Sequence, residues 1–263
     1  MSFVSTAGAR MPHGPVVPSI ESFLIAHWSF NDDAINGPFD DIIGNVPALD
    51  KNVDYGLGQV ATTPSRVASP DGKAADVAAF SGMSRVGPNE AVMLGGAQPY
   101  CIEARVKLDT ASSKNGGSLI AKNFFASEPS AGVFSTDWGV NFSVTLMEFA
   151  WSRTTGAGGG SVSRSQSVSP PDVTWFRVAV ADDLTSLRFY VDEALVHTFT
   201  SPFLEATPLM AAGDGSTAGI ALFGSLSGFL GSTPNWSQWK GFVDYIKVYR
   251  GTAKHTGATM VAG

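Results

Sequence analysis

Short runs of alternating apolar and polar residues recur along the chain, and this two-residue period constrains the fold more than any other feature. Successive side chains of a β-strand point to opposite faces, so each run predicts a strand with one buried face. No apolar stripe of 3.6-residue period persists for three turns, which disfavours long helices and a parallel α/β sheet. The runs predict strands at Leu24–Phe30, Ala78–Phe80, Tyr100–Leu108, Leu119–Lys122, Trp138–Trp151, Trp175–Ala181, Leu187–Asp192, Leu195–Phe199, Gly219–Phe223 and Trp239–Arg250.

The first and last runs illustrate the predicted faces. In the first run, the residues expected to share one face are Leu24, Ala26, Trp28 and Phe30. In the last run, one face is predicted to carry Phe242, Asp244, Ile246 and Val248, and the other Val243, Tyr245, Lys247 and Tyr249. Two stretches rich in Gly and Ser, Thr154–Ser169 and Gly224–Asn235, interrupt the pattern and predict surface loops.

Polar, Gly-containing ends flank a single predicted domain. A chain of 263 residues is compatible with one all-β sandwich, so residues 23–251 are expected to form one domain. Residues 1–22 combine Gly, Ser and Pro and predict an extended N-terminal arm, and residues 252–263 predict a C-terminal tail. Two such arms favour self-assembly or contact with neighbouring subunits.

Charge and composition exclude several classes of partner. The formal net charge is −6 and no run of Lys and Arg could neutralise phosphates, so no nucleic-acid partner is expected. Cys101 is the single cysteine, which rules out an intrachain disulfide. The N-terminus lacks the pattern of a signal peptide, and the apolar runs are far shorter than the roughly 20 residues of a membrane span. We therefore expect intracellular synthesis and no membrane partner.

Four sequence blocks, taken in order, resemble the laminin-G-like (LamG-like) branch of the concanavalin A-like lectin/glucanase superfamily. They are Ala26–Asp32 with the turn at Asp41–Asn45, Ala79–Gly82, Trp175–Asp192, and the most specific block, Trp239–Tyr249. The resemblance spans residues 24–251 and implies an all-β, antiparallel two-sheet jelly-roll sandwich, which the extended N- and C-terminal arms flank. Glu193 departs from the family pattern, because the family usually has a glycine at this turn and a primed turn requires positive φ.

The same resemblance implies a structural calcium site. By their positions in the family pattern, the residues that would hold one Ca²⁺ are Asp32, Asp41, Asn45 and Asp244. Backbone carbonyls would complete the roughly six to eight oxygen ligands that Ca²⁺ takes. The alternative is that these residues cap turns through hydrogen bonds with the backbone.

The sequence lacks the motifs expected of an enzyme. Retaining glycanases of this superfamily carry a Glu-x-Asp-x-x-Glu string, since two carboxyl groups must flank the scissile bond about 5 Å apart, and no such string occurs. Glu103 and Glu148 lie on separate predicted strands and are expected at the surface. The histidines show no metal-ligand spacing, and no Gly-x-Ser-x-Gly elbow is present. A glycanase or polysaccharide lyase therefore ranks last among the functions considered.

Aromatic residues with polar neighbours are the candidates for contact with a glycan or a protein partner. The tryptophans expected in the core, because their strand neighbours are apolar, are Trp28, Trp138, Trp175 and Trp239. Trp151 is instead predicted to share a face with Asn141, and Trp236 falls in a predicted loop. The predicted contact residues are Trp151, Arg153, Trp236 and Gln238.

Two non-enzymatic functions remain open from the sequence. The first is a structural protein of a bacteriophage virion, used in capsid decoration or associated with the tail, that binds other virion proteins through its arms and contacts host glycans. Such a protein would be assembled in the host cytoplasm and located in the virion. The alternative is a carbohydrate-binding adhesin or lectin that is not part of a virion.

Overall fold

The computed structural model describes residues 20–31, 64–77, 84–85, 99–109, 117–124, 133–142, 147–154, 161–168, 174–183, 185–200, 219–229, 235–238 and 240–251. One 3₁₀ helix, η1, spans Ile20–Phe23. The strands are β1 (Leu24–Trp28), β2 (Ser65–Ser69), β3 (Gly72–Asp76), β4 (Ser84–Arg85), β5 (Tyr100–Leu108), β6 (Gly117–Phe124), β7 (Val133–Phe142), β8 (Met147–Thr154), β9 (Ser161–Val168), β10 (Phe176–Asp182), β11 (Ser186–Val191), β12 (Ala194–Thr200), β13 (Gly219–Leu222), β14 (Gly224–Phe229), β15 (Asn235–Gln238) and β16 (Gly241–Arg250). The predicted all-β class is confirmed.

The strands form two sheets, here named sheet A and sheet B. Sheet A has the order β12-β11-β10-β5-β16-β3-β2, and β1 also pairs with β16. Sheet B has the order β4-β13-β6-β15-β14-β7-β8-β9, with a further pairing between β6 and β7. The pairings are antiparallel apart from a short parallel contact of β15 with β6. The two sheets enclose one core, as expected for a β-sandwich.

The inward faces of the two sheets build this core. Sheet A contributes alternate residues of β5 and β10, and sheet B contributes Ile120 and Leu222. At one place Phe30 and Phe223 pack together with ring centroids 5.6 Å apart. Both have positive φ, 53° and 69°, a backbone conformation that costs about 1–2 kcal/mol in a residue with a Cβ. Burial of both rings offsets that cost.

β-Bulges explain why consecutive residues sometimes face the same side. A bulge sets two residues of one strand opposite a single residue of its neighbour. In β6 the register shift puts Leu119 and Ile120 opposite Val140, and both are fully buried in the core. In β16 the shift places Asp244 and Tyr245 on the side of sheet A that faces away from the core.

Two predicted faces change because of such bulges. In β1 the shift after Leu24 leaves Ala26 and Trp28 in the core, as predicted, whereas Leu24 packs against a second cluster on the outer side of sheet A. In β16 the predicted alternation is wrong at its N-terminal half. Val243 is in the core, and Phe242 lies on the opposite side, paired in register with Lys107.

Several other sequence predictions needed correction. Thr154–Ser169, predicted as a loop, contains β9, and Gly224–Asn235 contains β14. The single predicted run Trp138–Trp151 is two strands, β7 and β8. The hairpin of β2 and β3 was not predicted, although Pro70-Asp71-Gly72 is a turn signal. Ala78–Phe80 lies outside the described residues.

The hairpin between β2 and β3 shows why its glycine is needed. Gly72 has φ +125°, and a Cβ there would come 2.6 Å from the Asn31 Oδ1 atom. That oxygen accepts a hydrogen bond from the Lys73 backbone N–H at 2.7 Å. The close approach ties the end of the first strand to this turn.

The predicted arms lie almost wholly outside the described part of the chain, so the domain limits at 22/23 and 251/252 remain predictions. The last residues of the N-terminal arm, predicted to be extended, instead form η1, and Ile20 of that turn packs against the outer side of sheet A. In the residues that the structure describes, no helix is long and apolar enough to cross a membrane.

Candidate functional site

The predicted contact residues lie on two strands of sheet B. Trp151 and Arg153 are in β8, where they pair with Arg164 and Val162 of β9. Trp236, predicted in a loop, is in β15 opposite Leu226 of β14. Gln238 of the same strand pairs with Ser118 of β6.

The register separates these residues into two pairs on opposite faces. Ile120 is in the core and pairs with Val140, so the next residue but one, Phe142, and its partner Met147 belong to the core side. Trp151 and Arg153 alternate with Met147 and therefore lie on that side. The prediction that Trp151 and Asn141 share a face disagrees with the register. Asn141 pairs with Glu148, and Trp151 is three residues from Glu148, so the two lie on opposite faces.

Gln238 and Trp236 lie on the opposite, outward face of sheet B. Gln238 begins a row of directly opposed residues that crosses five strands, here named the polar row. Its members are Gln238, Ser118, Asn141, Glu148 and Ser167. Four steps between strands, each about 4.8 Å, make the row about 19 Å long. Each member carries a hydrogen-bonding group, and sequence reasoning identified only Gln238 as a contact residue.

By register, small residues occupy several positions near the polar row, and Leu226 and Arg85 occupy two others on the same face. The paired positions next to the row in β13, β6 and β7 are Ala221, Ala121 and Gly139. The positions of β9 that share this face are Ser161, Ser163, Ser165 and Ser167.

The outward face of sheet A is built differently, from large and charged side chains. Glu103 is 5% exposed, so its predicted place at the surface is wrong. It accepts a hydrogen bond from the hydroxyl of Tyr245, which is 8% exposed. Burial raises the pKa of Glu103, an effect that the Tyr245 hydrogen bond and the charges of Lys247 and Arg177 partly oppose. Burial also raises the pKa of Tyr245, and the neighbouring Glu103 charge adds to this.

Asp244, the one predicted calcium ligand among the described residues, is 1% exposed in the β16 bulge. Its Oδ1 accepts a hydrogen bond from the Ser69 hydroxyl at 2.7 Å, and its Oδ2 lies 3.3 Å from Arg105 Nη1. The same Arg105 nitrogen is 2.5 Å from Asp71 Oδ2. Burial raises the pKa of Asp244, while Ser69 and Arg105 act to lower it. Asp244 is thus held by protein groups on both oxygens.

The rest of the predicted calcium set, Asp32, Asp41 and Asn45, lies outside the described residues. Within the described segments, no group of three or more His, Cys, Asp or Glu residues could hold a metal ion. The calcium site therefore remains a prediction.

A further row on the outward face of sheet A joins a lysine to two aromatic rings. The Lys107 Nζ atom lies 4.7 Å from the ring centroid of Phe242 and 5.7 Å from that of Trp175. Trp175 is half-exposed on this face, so its predicted place in the core is wrong, whereas Trp28 is fully buried as predicted. Trp175 is the first residue of the predicted run, and alternation places it on the face opposite the buried Phe176.

A tight turn joins β11 and β12 at one edge of sheet A. Asp192 and Glu193 both have positive φ, 44° and 73°, which confirms that this is a primed turn. Arg177 Nη2 forms an ion pair with Glu193 Oε1, and the Arg177 backbone N–H donates to Asp192 Oδ1 at 2.8 Å. These contacts hold a turn in which Glu193 occupies a position that favours glycine.

No protein-family model matches this chain, and no curated protein matches it. Its likeness is to solved structures. The binding domain of Paraclostridial Mosquitocidal Protein 1 gives a TM-score of 0.56 at 11% identity, covering 93% of this chain and 52% of that one. A Trypanosoma rangeli sialidase in complex with sialic acid gives 0.55 at 10% identity, covering 98% and 35%. The binding domain of Botulinum neurotoxin DC, in complex with rat synaptotagmin II, gives 0.51 at 11% identity, covering 88% and 49%.

This chain spans about half the length of the two toxin domains and about a third of the sialidase chain. At identities near 10% such likeness shows the fold alone. The fold is a β-sandwich, in agreement with the jelly roll that the sequence blocks implied.

Proposed function

We propose that this chain is a non-enzymatic, lectin-like binding module that holds a carbohydrate on the outward face of sheet B. The observation that carries the proposal is the polar row, with Trp236 two residues from its first member. Amide, hydroxyl and carboxylate groups can hydrogen-bond sugar hydroxyls, and an aromatic ring can pack against the apolar face of a pyranose. The length of the row suits an oligosaccharide.

The solved structures with the same fold support a binding role by analogy only. Two are binding domains, and the third is a sialidase bound to sialic acid. Because a fold hosts many functions, the argument for sugar binding rests on the row.

The carboxylates favour binding over catalysis. Glu103 is on the outward face of sheet A and Glu148 on the outward face of sheet B, with about 10 Å between the two layers. They cannot flank one glycosidic bond about 5 Å apart. The Tyr245–Glu103 pair has the groups of a base-activated phenol, but burial raises the pKa of Tyr245, which opposes its activation as a nucleophile.

A glycan array with the purified chain and two variants tests the proposal. We expect Trp236→Ala and Gln238→Ala each to weaken binding of the glycan that the natural chain selects by about 10-fold or more. Leu195→Ala is the matched control, because Leu195 is 53% exposed on the other sheet. The proposal fails if the chain binds no glycan, or if all three variants bind equally well.

A second candidate is the virion role, as a capsid decoration or tail-associated protein. The observation that favours it is the packing of Ile20 against the outer side of sheet A. The predicted arm therefore joins the domain at an outward surface. Sedimentation with purified virus particles, compared for the full chain and a chain that begins at Ile20, tests it. Loss of co-sedimentation in the shorter chain is expected, and absence from the particles contradicts the role.

The structural Ca²⁺ is proposed for Asp32, Asp41, Asn45 and Asp244. If it is bound, the melting temperature rises with excess Ca²⁺ and falls with EDTA, because a ligand that binds only the folded state stabilises it. An unchanged melting temperature in both conditions would contradict the proposed calcium site.

A further inference from the structure

We propose that the row formed by Phe242, Lys107 and Trp175 on the outward face of sheet A is a second binding site, for a saccharide that carries a carboxylate or sulfate. The choice of a saccharide rests on the proposed carbohydrate-binding function. The site itself is separate, because it lies on the other sheet and on the opposite side of the molecule from the polar row.

The ammonium group of Lys107 is held in place by its two aromatic neighbours. Both ring centroids lie within 6 Å of Nζ, the range of cation–π contacts. A free lysine side chain loses rotamer freedom when it is fixed. The rings have already restricted Lys107, so an incoming anion meets a charge that is partly ordered.

Lys107 also differs from the neighbouring cations in how its charge is paired. Arg105 is paired with Asp71 and Asp244, and Arg177 is paired with Glu193. No ion pair joins Lys107 to a carboxylate of the described residues, and its contacts there are the two rings. An ammonium has three donors, and ring faces do not use them all, so Lys107 can still donate to an anion.

The two aromatic rings would contact the apolar part of the saccharide. Phe242 and Trp175 are both half-buried, and they flank Lys107, Phe242 on the neighbouring strand β16 and Trp175 just before β10. A charged pyranose presents apolar C–H groups beside its anionic substituent, which matches a cation between two rings. A bare inorganic anion would use only the cation.

Acidic groups near the site set a limit on which anions can bind. Asp76 pairs in register with Phe242 and interacts electrostatically with Lys240, and Asp109 follows Lys107 by two residues. The whole chain carries a formal charge of −6. Non-specific attraction of polyanions is therefore weak, and binding of an acidic saccharide has to come from a local contact.

Isothermal titration calorimetry with the full chain tests this site. The probes are an oligogalacturonate, a heparin-derived oligosaccharide and a neutral galactan oligosaccharide. We expect Lys107→Gln to weaken binding of an acidic probe by about 10-fold or more, since a hydrogen bond to a charged group is lost. Lys107→Arg should restore most of the affinity. The two acidic probes separate carboxylate from sulfate recognition.

Lys73→Gln is the matched control, because it removes the same charge from the hairpin of β2 and β3. Trp236→Ala separates the two sites, since it should affect the neutral probe and leave the acidic one unchanged. The inference is overturned if neither acidic probe binds, if Lys107→Gln and Lys73→Gln weaken binding equally, or if an acidic peptide such as oligoglutamate is bound in preference. Loss of neutral binding alone would count only against the polar row.

Discussion

The outward faces of the two sheets belong to the same fold but differ in the residues that they carry. Sheet A presents Glu103, Arg105 and Tyr245 in contact with one another, with two of the three almost fully buried. By register, sheet B presents a row of five polar residues, one from each of five strands. Groups that satisfy each other are poorly placed to bind a ligand, whereas a line of hydrogen-bonding residues across five strands suits one. We infer that most of the sheet A face stabilises the sandwich and that the sheet B face binds.

The strongest test of this comparison replaces the two tryptophans of sheet B. Trp151 is on the core side by register, so Trp151→Ala should lower the free energy of unfolding by about 3–5 kcal/mol, the cost of truncating a core aromatic residue. Trp236→Ala should cost less than about 1 kcal/mol, because its face is outward. Urea denaturation of both variants measures the difference. Equal losses would mean that the faces are assigned wrongly.

The next largest effect is expected on the sheet A face. Arg105→Met should destabilise the protein by about 3 kcal/mol, because Asp244 is left buried without its cation. Asp71→Asn is the control and should cost about 0.5 kcal/mol, since the Asp71 side chain is 50% exposed. Thermal and urea unfolding report both changes. If the two variants lose the same stability, the buried pair does not hold this face together.

A smaller effect is expected at the turn between β10 and β11. Burial of Asp183 acts to raise its pKa, but hydrogen bonds from Thr185 and Ser186 lower it to about 2. Asp183→Ala should therefore cost about 1–2 kcal/mol at pH 7. The ionised form is favoured in the folded state, so this contribution is present above about pH 4 and is lost as the pH falls towards 2. A pH-independent difference between the two proteins would contradict it.

The smallest effect concerns Glu103, whose pKa is raised in the folded protein. As the pH rises, Glu103 ionises first in the unfolded chain, near pH 4.3. The contribution of Glu103 to the stability of the folded protein is therefore complete below about that pH, and it declines as the pH rises through the pKa of the folded state. Glu103→Gln cannot ionise and keeps an oxygen that can accept from Tyr245. Its stability relative to the natural protein should increase as the pH rises above about 4.3, where Glu103 of the unfolded chain ionises. A constant difference would show that Glu103 is not penalised by burial.

The sequence predicted the strands best where alternation is unbroken. β5 has the predicted limits, and β10, β11 and β12 agree within about one residue, within the usual spread of strand boundaries. Alternation failed at the bulges, where Leu119 and Ile120 face one side and Asp244 breaks the count in β16. A bulge adds one residue without changing composition, so a periodic pattern alone does not locate it.

The candidate site was predicted only in part for a related reason. Trp236 and Gln238 were selected by residue type, but the other members of the polar row are ordinary Ser, Asn and Glu residues on separate strands. What brings Ser118 opposite Asn141, and Asn141 opposite Glu148, is the pairing of distant segments. Likewise, Lys107 and Phe242 are neighbours only because β5 pairs with β16.

The position of β16 in sheet A has a consequence for how the chain folds during its synthesis. β16 pairs with β1, β3 and β5, which the ribosome releases well before residues 241–250. Pairing between segments so far apart must close long loops before contacts are gained, which slows folding. The edges of the earlier strands therefore stay open until the last strand emerges. We expect sheet A to be completed only after that point, and the nascent chain to depend on chaperones that shield these edges from aggregation.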